Sequence, residues 1–495
     1  MNPYLILGVI LLYFVPLIII SHFTSRNANS NTFFIGNRQS KWYLVAFAMI
    51  GTSISGVTFI SVPGWVLSSK FHYMQMVLGY LLGYATIIHV LLPIYYRLNL
   101  TTIYTYLETR FGKVSYKTGA SFFLISRLIG SSFRLFIVSN ILQITIFDKL
   151  QVPFILTVLL TLLLIYIYTF RGGVKTIVWT DSLQTLLFLL SVILTIIILA
   201  KSMDLDIKGL YHSLRSSEYT TIFNFHDWKG GSYFLKQFLS GAFIAIVMTG
   251  LDQDMMQKNL SCKSLKDAQK NMYWYSSLLL PVNLLFLTLG ALLIFYANMN
   301  SIPLPERSDD LFPLIATGGY MPLFVGIIFI LGLIAAAYSS ADSALTALTT
   351  SFTIDILGAG NIPEKKLKKI RWTVHIFMSL LVGGIIIVFR IVNNEAVISS
   401  IFTAAGYTYG PLLGLFAFGI FSKRKVFDGW VPVVAILSPL LTFLTKTGLE
   451  ALIDDYHSSY ELLLINGVIT IAGLFMISIK NKGSRSTNLS VLKEK

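Results

Sequence analysis

Long apolar stretches separated by short polar ones dominate the chain. Runs long enough to cross a bilayer fall near residues 3–21, 42–68, 72–96, 118–148, 152–170, 177–200, 234–256, 272–298, 320–345, 372–393, 398–421, 427–446 and 459–479. The pattern predicts about thirteen transmembrane helices and an all-α polytopic membrane protein. The first run is expected to be a retained helix, because nothing before Pro3 is basic and no small-residue cleavage site follows. The longest separator, Ser202 to Tyr233, has room for a short interfacial helix. No separator suits a soluble domain, so residues 1–495 are expected to form a single membrane domain with a polar tail from 480 to 495.

Three runs depart from plain hydrophobicity. Residues 47–65, FAMIGTSISGVTFISVPGW, are interrupted by Gly51, Ser53, Ser55, Gly56 and Thr58. Residues 238–257, FLSGAFIAIVMTGLDQDMMQ, carry Ser240-Gly241 and Thr249-Gly250. Unwound backbone at membrane depth survives where it lines a cavity or is buried in protein. Interrupted helices at corresponding positions of two halves point to a transporter's binding site. These are the second and seventh runs, which suits two repeats of five with one leading and two trailing helices. The alternative is that Gly and Ser serve only close helix packing. The third run, LGLIAAAYSSADSALTALTTSFTIDI from Leu331 to Ile356, places Ala336, Ser339, Ser340, Ser343 and Thr346 at steps of three and four. Asp342 lies on that face, and hydroxyls with a carboxylate are oxygen ligands for a small hard cation. Hydroxyls alone would suit packing, but an intramembrane carboxylate is expensive and marks function.

Composition agrees. The chain is 55% hydrophobic and 12% charged, roughly half the charge of a soluble domain. The one cysteine, Cys262, excludes an intramolecular disulfide. No nucleophile–base pair, Cys/His cluster or phosphate-binding glycine loop is readable, so no enzyme is expected. The net charge of +15 raises nucleic acid as a partner, and the placement of the charges argues against it. With the amino terminus outside, the inner segments and tail hold 26 Lys and Arg and the outer ones 9. That bias fits the positive-inside rule and predicts a plasma (inner) membrane protein with a cytoplasmic carboxy terminus.

Several segments carry a resemblance. YTFRGGVKTIVWTDSLQ (Tyr168 to Gln184) resembles the GG-x-x-AV-x-x-TD-x-x-Q signature of the sodium/solute symporter family, in its sialic acid and monocarboxylate/vitamin branches more than its sugar branch. DQDMMQKNLSCKSLKDAQK (Asp252 to Lys270) is similar to that family's DQ-x-x-x-QR stretch and its AQK ending. GTSISGVTF (Gly51 to Phe59), the run around Ser339 and GPLLGLFAFGIF (Gly410 to Phe421) resemble its first, eighth and tenth core helices. The resemblance implies a LeuT-type 5+5 inverted repeat, here 42–200 and 234–421, after a leading helix (3–21) and before trailing helices (427–479). It implies sodium-coupled uptake of a small solute by alternating access.

It also implies ligands. A first sodium would be held by carbonyls of Gly51, Ile54 and Ala336 with hydroxyls of Ser339 and Ser340. Some members use a second sodium, for which the matching residues are Asp181, Ser339 and Ser343. Asp342 stands where a further hydroxyl ligand would be, and it could ligate, carry a proton or pair with a basic residue. From the residues alone, the alternative is that Asp181 caps a helix beginning near Ser182.

Substrate candidates are Ser53, Ser55 and Thr58 on the first interrupted helix, matching hydroxyls of the sialic acid symporters, with Gln75 and Gln253 as further polar candidates. Either glutamine could instead hydrogen-bond a neighbouring helix. The galactose-gripping set of the sugar symporters is not retained, since Met272 to Ala297 contains no Lys. Arg127 and Arg134 are seven residues apart and share a helix face. A guanidinium suits bidentate capture of a carboxylate, as an Arg on this helix does in the sialic acid symporters. Counting does not separate the two, and an internal ion pair with Asp342 or Asp252 is the alternative. The expected solute is thus a small anion such as sialic acid or another carboxylate. The alternatives are a neutral sugar, amino acid or vitamin, or a channel or sensor on the same fold.

Overall fold

Apolar runs without charge must close their backbone hydrogen bonds within the segment, and they do so as helices. The computed structural model describes residues 3–26, 28–392, 397–454, 456 and 461–479. The leading helix α1 (Pro3–Ser25) precedes a broken span, α2 (Trp42–Ser53) and α3 (Gly56–Ser69). Then come α4 (Tyr73–Arg97), α5 (Lys113–Leu150), α6 (Phe154–Thr169) and α7 (Val174–Ser202). A second broken span, α8 (Phe234–Gly250) and α9 (Gln253–Leu260), is followed by α10 (Leu265–Met299), α11 (Leu323–Ile356), α12 (Glu364–Val392) and α13 (Val397–Phe421). The last two are α14 (Val431–Leu452) and α15 (Leu462–Met476). Among the described residues these are nine long apolar helices, two bent pairs and two shorter apolar helices, matching the thirteen expected runs. The expected tail from 480 to 495 lies outside the described residues.

Several helices outrun their apolar segments. α10 begins at Leu265 rather than 272, because Ser264 caps it: its hydroxyl accepts from the Asp267 N–H at 3.2 Å and donates to the Asp267 carboxylate at 2.9 Å. A polar first turn is invisible to a hydropathy pattern. The segment after α7 contains the expected short helix, Ile207–Ser216. It is started by Asp206, whose side chain accepts from the Gly209 N–H at 2.6 Å, and none of its residues is buried.

Both interrupted spans bend, α2 to α3 by 59° and α8 to α9 by 62°. The second break falls after Thr249-Gly250, at Leu251-Asp252, and a widened turn at Ile246–Gly250 leads into it. Ser240-Gly241 is not a break. There the helix continues, and a Cβ on Gly241 would overlap the Met76 carbonyl. Gly79 and Gly83 on α4 abut the Phe238 and Ala242 carbonyls in the same way, so small residues bring the α4 and α8 backbones into contact. Gly79→Leu should therefore lower the melting temperature in detergent, since overpacking costs about 1–3 kcal/mol. Gly384→Leu, at a position with no atom within 4 Å of a Cβ, should not. Equal melting for the two variants would refute this account of the crossing.

Candidate functional site

The first break begins where α2 runs out of turns. Ile54 leaves the helix (φ −88°, ψ 84°) and Ser55 is extended (φ −79°, ψ 174°). The α2 ladder ends with the Ile54 N–H donating to the Ile50 carbonyl at 2.9 Å, and α3 resumes with Phe59 donating to Ser55 at 3.0 Å. A helix end leaves its last carbonyls without intrahelical partners, and here those belong to Gly51 through Ile54. α11 lies along this break. A Cβ on Gly51 would sit 2.8 Å from Ser339 Oγ, and one on Gly56 would sit 3.2 Å from the Ala337 Cβ. Only glycine permits that approach. Ala336, Ser339 and Ser340 are all buried. The Ser340 hydroxyl donates to the Ala337 carbonyl at 3.0 Å, which leaves its lone pairs available. Ser339 Oγ is buried with no hydrogen-bond partner. An orphaned hydroxyl beside free helix-end carbonyls fits a small cation.

Asp181 lies mid-helix in α7 and is fully buried, so it does not cap a helix. One oxygen, Oδ2, is 2.6 Å from the ammonium of Lys258. It also accepts from Thr52 and Ser343 hydroxyls, each at 3.1 Å. Lys258 further donates to Ser343 Oγ at 2.6 Å and to Thr52 Oγ1. Asp342 stands on the same face of α11, with both carboxylate oxygens buried and without hydrogen-bond partners. The sequence pattern assigns Lys258 to an inner basic loop, 257–271. The structure corrects that: Lys258 is 1% exposed and sits on α9, inside the helix bundle. The segment DQDMMQKNL is too polar to read as membrane-embedded. Its charges are tolerated because each finds a partner from another helix.

Between the two breaks opens a cavity. Ser53, Ser55 and Thr58 line it, as do Arg127 and Arg134 of α5. Four tyrosines outside the predicted set, Tyr73, Tyr80, Tyr84 and Tyr275, also line it. The Tyr275 hydroxyl is 2.5 Å from Ser53 Oγ and 3.1 Å from the Tyr84 hydroxyl. The signal for them was a phenol inside an apolar run, which needs a polar partner once buried.

The arginines are not equivalent. Arg127 Nη1 is 3.5 Å from Asp252 Oδ2, and its Nη2 pairs with Asp254. Asp252 is itself fixed, accepting from the Asp254 N–H at 2.9 Å and from the Tyr409 hydroxyl at 2.5 Å. Arg127 therefore clamps α5 to the second break. Arg134 has no ion-pair partner among the described residues and faces the cavity. The internal pair weighed for these arginines is thus made by Arg127 with Asp252, and not with Asp342.

Neither glutamine lines the cavity. Gln75 donates to the Ser232 carbonyl at 2.9 Å and accepts from the Asn224 N–H at 3.0 Å, which anchors the segment after α7. Gln253 accepts from the Ile103 N–H at 3.0 Å and donates to the Thr101 carbonyl at 3.1 Å. A buried amide is spent where its hydrogen bonds are, and these two are spent on loops.

The sequence profile of the sodium:solute symporter family matches residues 33–430. The chain is 27% identical over 454 residues to the sodium/sialic acid symporter NanT of Aliivibrio fischeri, covering 87% of this chain and 85% of that one. It is 26% identical over 448 residues to the sodium/sialic acid symporter SiaT of Proteus mirabilis, covering 86% and 85%. Its structure is similar to the substrate-bound, outward-open state of a Na⁺-coupled sialic acid symporter. That similarity has a TM-score of 0.81 at 20% identity and spans 95% of this chain and 97% of the other. The likeness shows a shared LeuT-type fold.

Proposed function

The chain belongs to the sodium:solute symporter family, and on that premise we propose that the small solute it takes up with sodium is a sialic acid or a related organic acid. The observation that carries this reading is the Arg134 guanidinium, which has no ion-pair partner among the described residues, in a cavity whose other cation, Arg127, is neutralised by Asp252 and Asp254. A cation in such a site favours an anion, and the guanidinium fork matches a carboxylate. Ser53, Ser55 and Thr58 would then meet the solute's hydroxyl or amide groups. The names of the relatives NanT and SiaT support the same substrate class.

Coupling follows from the break. Gly51 and Ile54 carbonyls, with Ala336, Ser339 and Ser340, form the set we assign to a sodium ion. Ser53 and Ser55, on the same unwound stretch, face the cavity. An ion on one side of the stretch and a solute on the other order the same backbone. Each therefore favours the other, and the linkage is reciprocal.

We assign 42–200 and 234–421 to the two inverted repeats within a single membrane domain, after a leading helix at 3–21 and before trailing helices at 427–479. We place the amino terminus outside and the carboxy terminus in the cytoplasm of an inner-membrane protein. With Lys258 removed from the inner segments, 25 basic residues stand against 9, and the bias holds.

Proteoliposomes decide the matter. An inward sodium gradient should drive concentrative uptake of N-acetylneuraminate, and potassium should not replace sodium. Uptake confined to neutral sugars or zwitterions would reject the anion assignment. Sodium-independent equilibration without concentration would reject symport in favour of a channel.

A further inference from the structure

The resemblance implies a second sodium at Asp181, Ser339 and Ser343, and two of those three side chains, Asp181 and Ser343, already meet a buried cation of the chain itself. The Lys258 ammonium stands among Asp181 Oδ2 at 2.6 Å, Ser343 Oγ at 2.6 Å and Thr52 Oγ1. A carboxylate and two hydroxyls are the donor set of a small hard cation. An ammonium has three N–H donors, and here three oxygens take them. The four side chains come from four different helices: Thr52 from α2, Asp181 from α7 and Ser343 from α11, met by Lys258 from α9.

We propose that Lys258 is the resident cation of the second site, and that this protein accordingly moves one sodium ion per solute. A sodium ion could reach Asp181 Oδ2 only by displacing a buried ammonium from its acceptors, and at Oδ1, which has no hydrogen-bond partner, it would stand against the charge of that ammonium on the same carboxylate. Because Lys258 is tethered to α9, it cannot leave with the solute and adds no driving force. The family stretch that this segment resembles has arginine at this position. A planar guanidinium can lie beside a carboxylate, but only a compact ammonium fits within a cage of three oxygens. Asp342 is not part of the cage, since neither of its oxygens bonds Lys258.

The proposal rests on the sodium-coupled reading, so its first test uses sodium alone. The purified full chain is melted in detergent over a sodium chloride series, with choline chloride holding ionic strength constant. The dependence of stabilisation on sodium concentration gives the number of ions bound. The parent protein should bind one. Lys258→Gln, which frees Asp181, should bind a second and steepen the dependence about twofold. A parent protein that already binds two ions overturns the proposal, as does a Lys258→Gln variant with the parent's dependence. If Lys258→Gln does not fold, Asp181→Asn/Lys258→Gln removes both buried charges and should bind one ion. Loss of all sodium binding in that double variant would also overturn the proposal, because Asp181 would then serve the first ion. In proteoliposomes at zero membrane potential, a tenfold sodium gradient should hold about a tenfold N-acetylneuraminate gradient. About a hundredfold would mean two ions and refute single-ion coupling. Absence of N-acetylneuraminate uptake rejects the substrate assignment alone and leaves the sodium titration to judge Lys258.

Discussion

Arg134→Lys should raise the solute concentration for half-maximal uptake about tenfold or more while changing the sodium requirement little, because Lys keeps the charge and loses the fork. Arg127→Met, seven residues earlier, should behave differently. Arg127 neutralises Asp252 and Asp254, which are 0% and 2% exposed. Removing one partner of a buried pair costs about 3–5 kcal/mol, because the remaining charges stay buried. That variant should express poorly or melt well below the parent. Arg134 has no such obligation, so Arg134→Lys should melt near the parent temperature. The two measurements separate binding from scaffolding. Normal solute affinity in Arg134→Lys and in Arg134→Ala would make Arg134 structural and remove the carboxylate assignment. A stable, active Arg127→Met would show that the clamp between α5 and α9 is dispensable.

How much of this was legible in the chain depends on the range of the interaction that decides it. The thirteen runs were readable because hydrophobicity is local and the bilayer fixes their length. The break at Gly51 to Gly56 was readable for the same reason, since polar and glycine residues interrupt an apolar run. Ser240-Gly241 was not separable from Thr249-Gly250 by composition. Glycine serves both close approach and unwinding, and the Met76 carbonyl that distinguishes them lies on another helix. Arg127 and Arg134 look alike in the sequence. What divides them is a pair of aspartates more than a hundred residues later, delivered by the bend before α9. Lys258 was the largest miss. Its partners Asp181 and Thr52 are 77 and 206 positions away, and a short polar helix reads as loop until those partners surround it. The Ser53–Tyr275 contact spans 222 positions. Local pattern therefore delivered the spans and the unwound stretch, whereas the pairing of charges within the bundle required the fold.

Ser339→Ala should reverse sign between sodium-free and sodium-containing buffer. The structure buries the Ser339 hydroxyl with no hydrogen-bond partner, an arrangement that costs about 1–3 kcal/mol wherever no ion meets it. Alanine removes the orphan, and the residue is 0% exposed, so the sodium-free variant should melt at or above the parent temperature. Added sodium should then reverse the order. If Ser339 Oγ is a ligand, the parent gains stability as the ion binds the folded state, and the variant gains much less. The same loss should raise the sodium concentration for half-maximal uptake, about tenfold for a lost contact of 1–2 kcal/mol. Ser340→Ala should show the second effect without the first. Its hydroxyl already donates to the Ala337 carbonyl at 3.0 Å, so alanine relieves no orphan and sacrifices a satisfied hydrogen bond. A simple packing role for both serines predicts something else: small shifts in melting of the same size with and without sodium, and unchanged sodium dependence of uptake. Melting curves of the parent and both single variants, in sodium or choline chloride at equal ionic strength, distinguish the two accounts. Parallel sodium responses in all three proteins would remove Ser339 and Ser340 from the ion site and leave α11 as a helix whose small residues serve only its approach to the break.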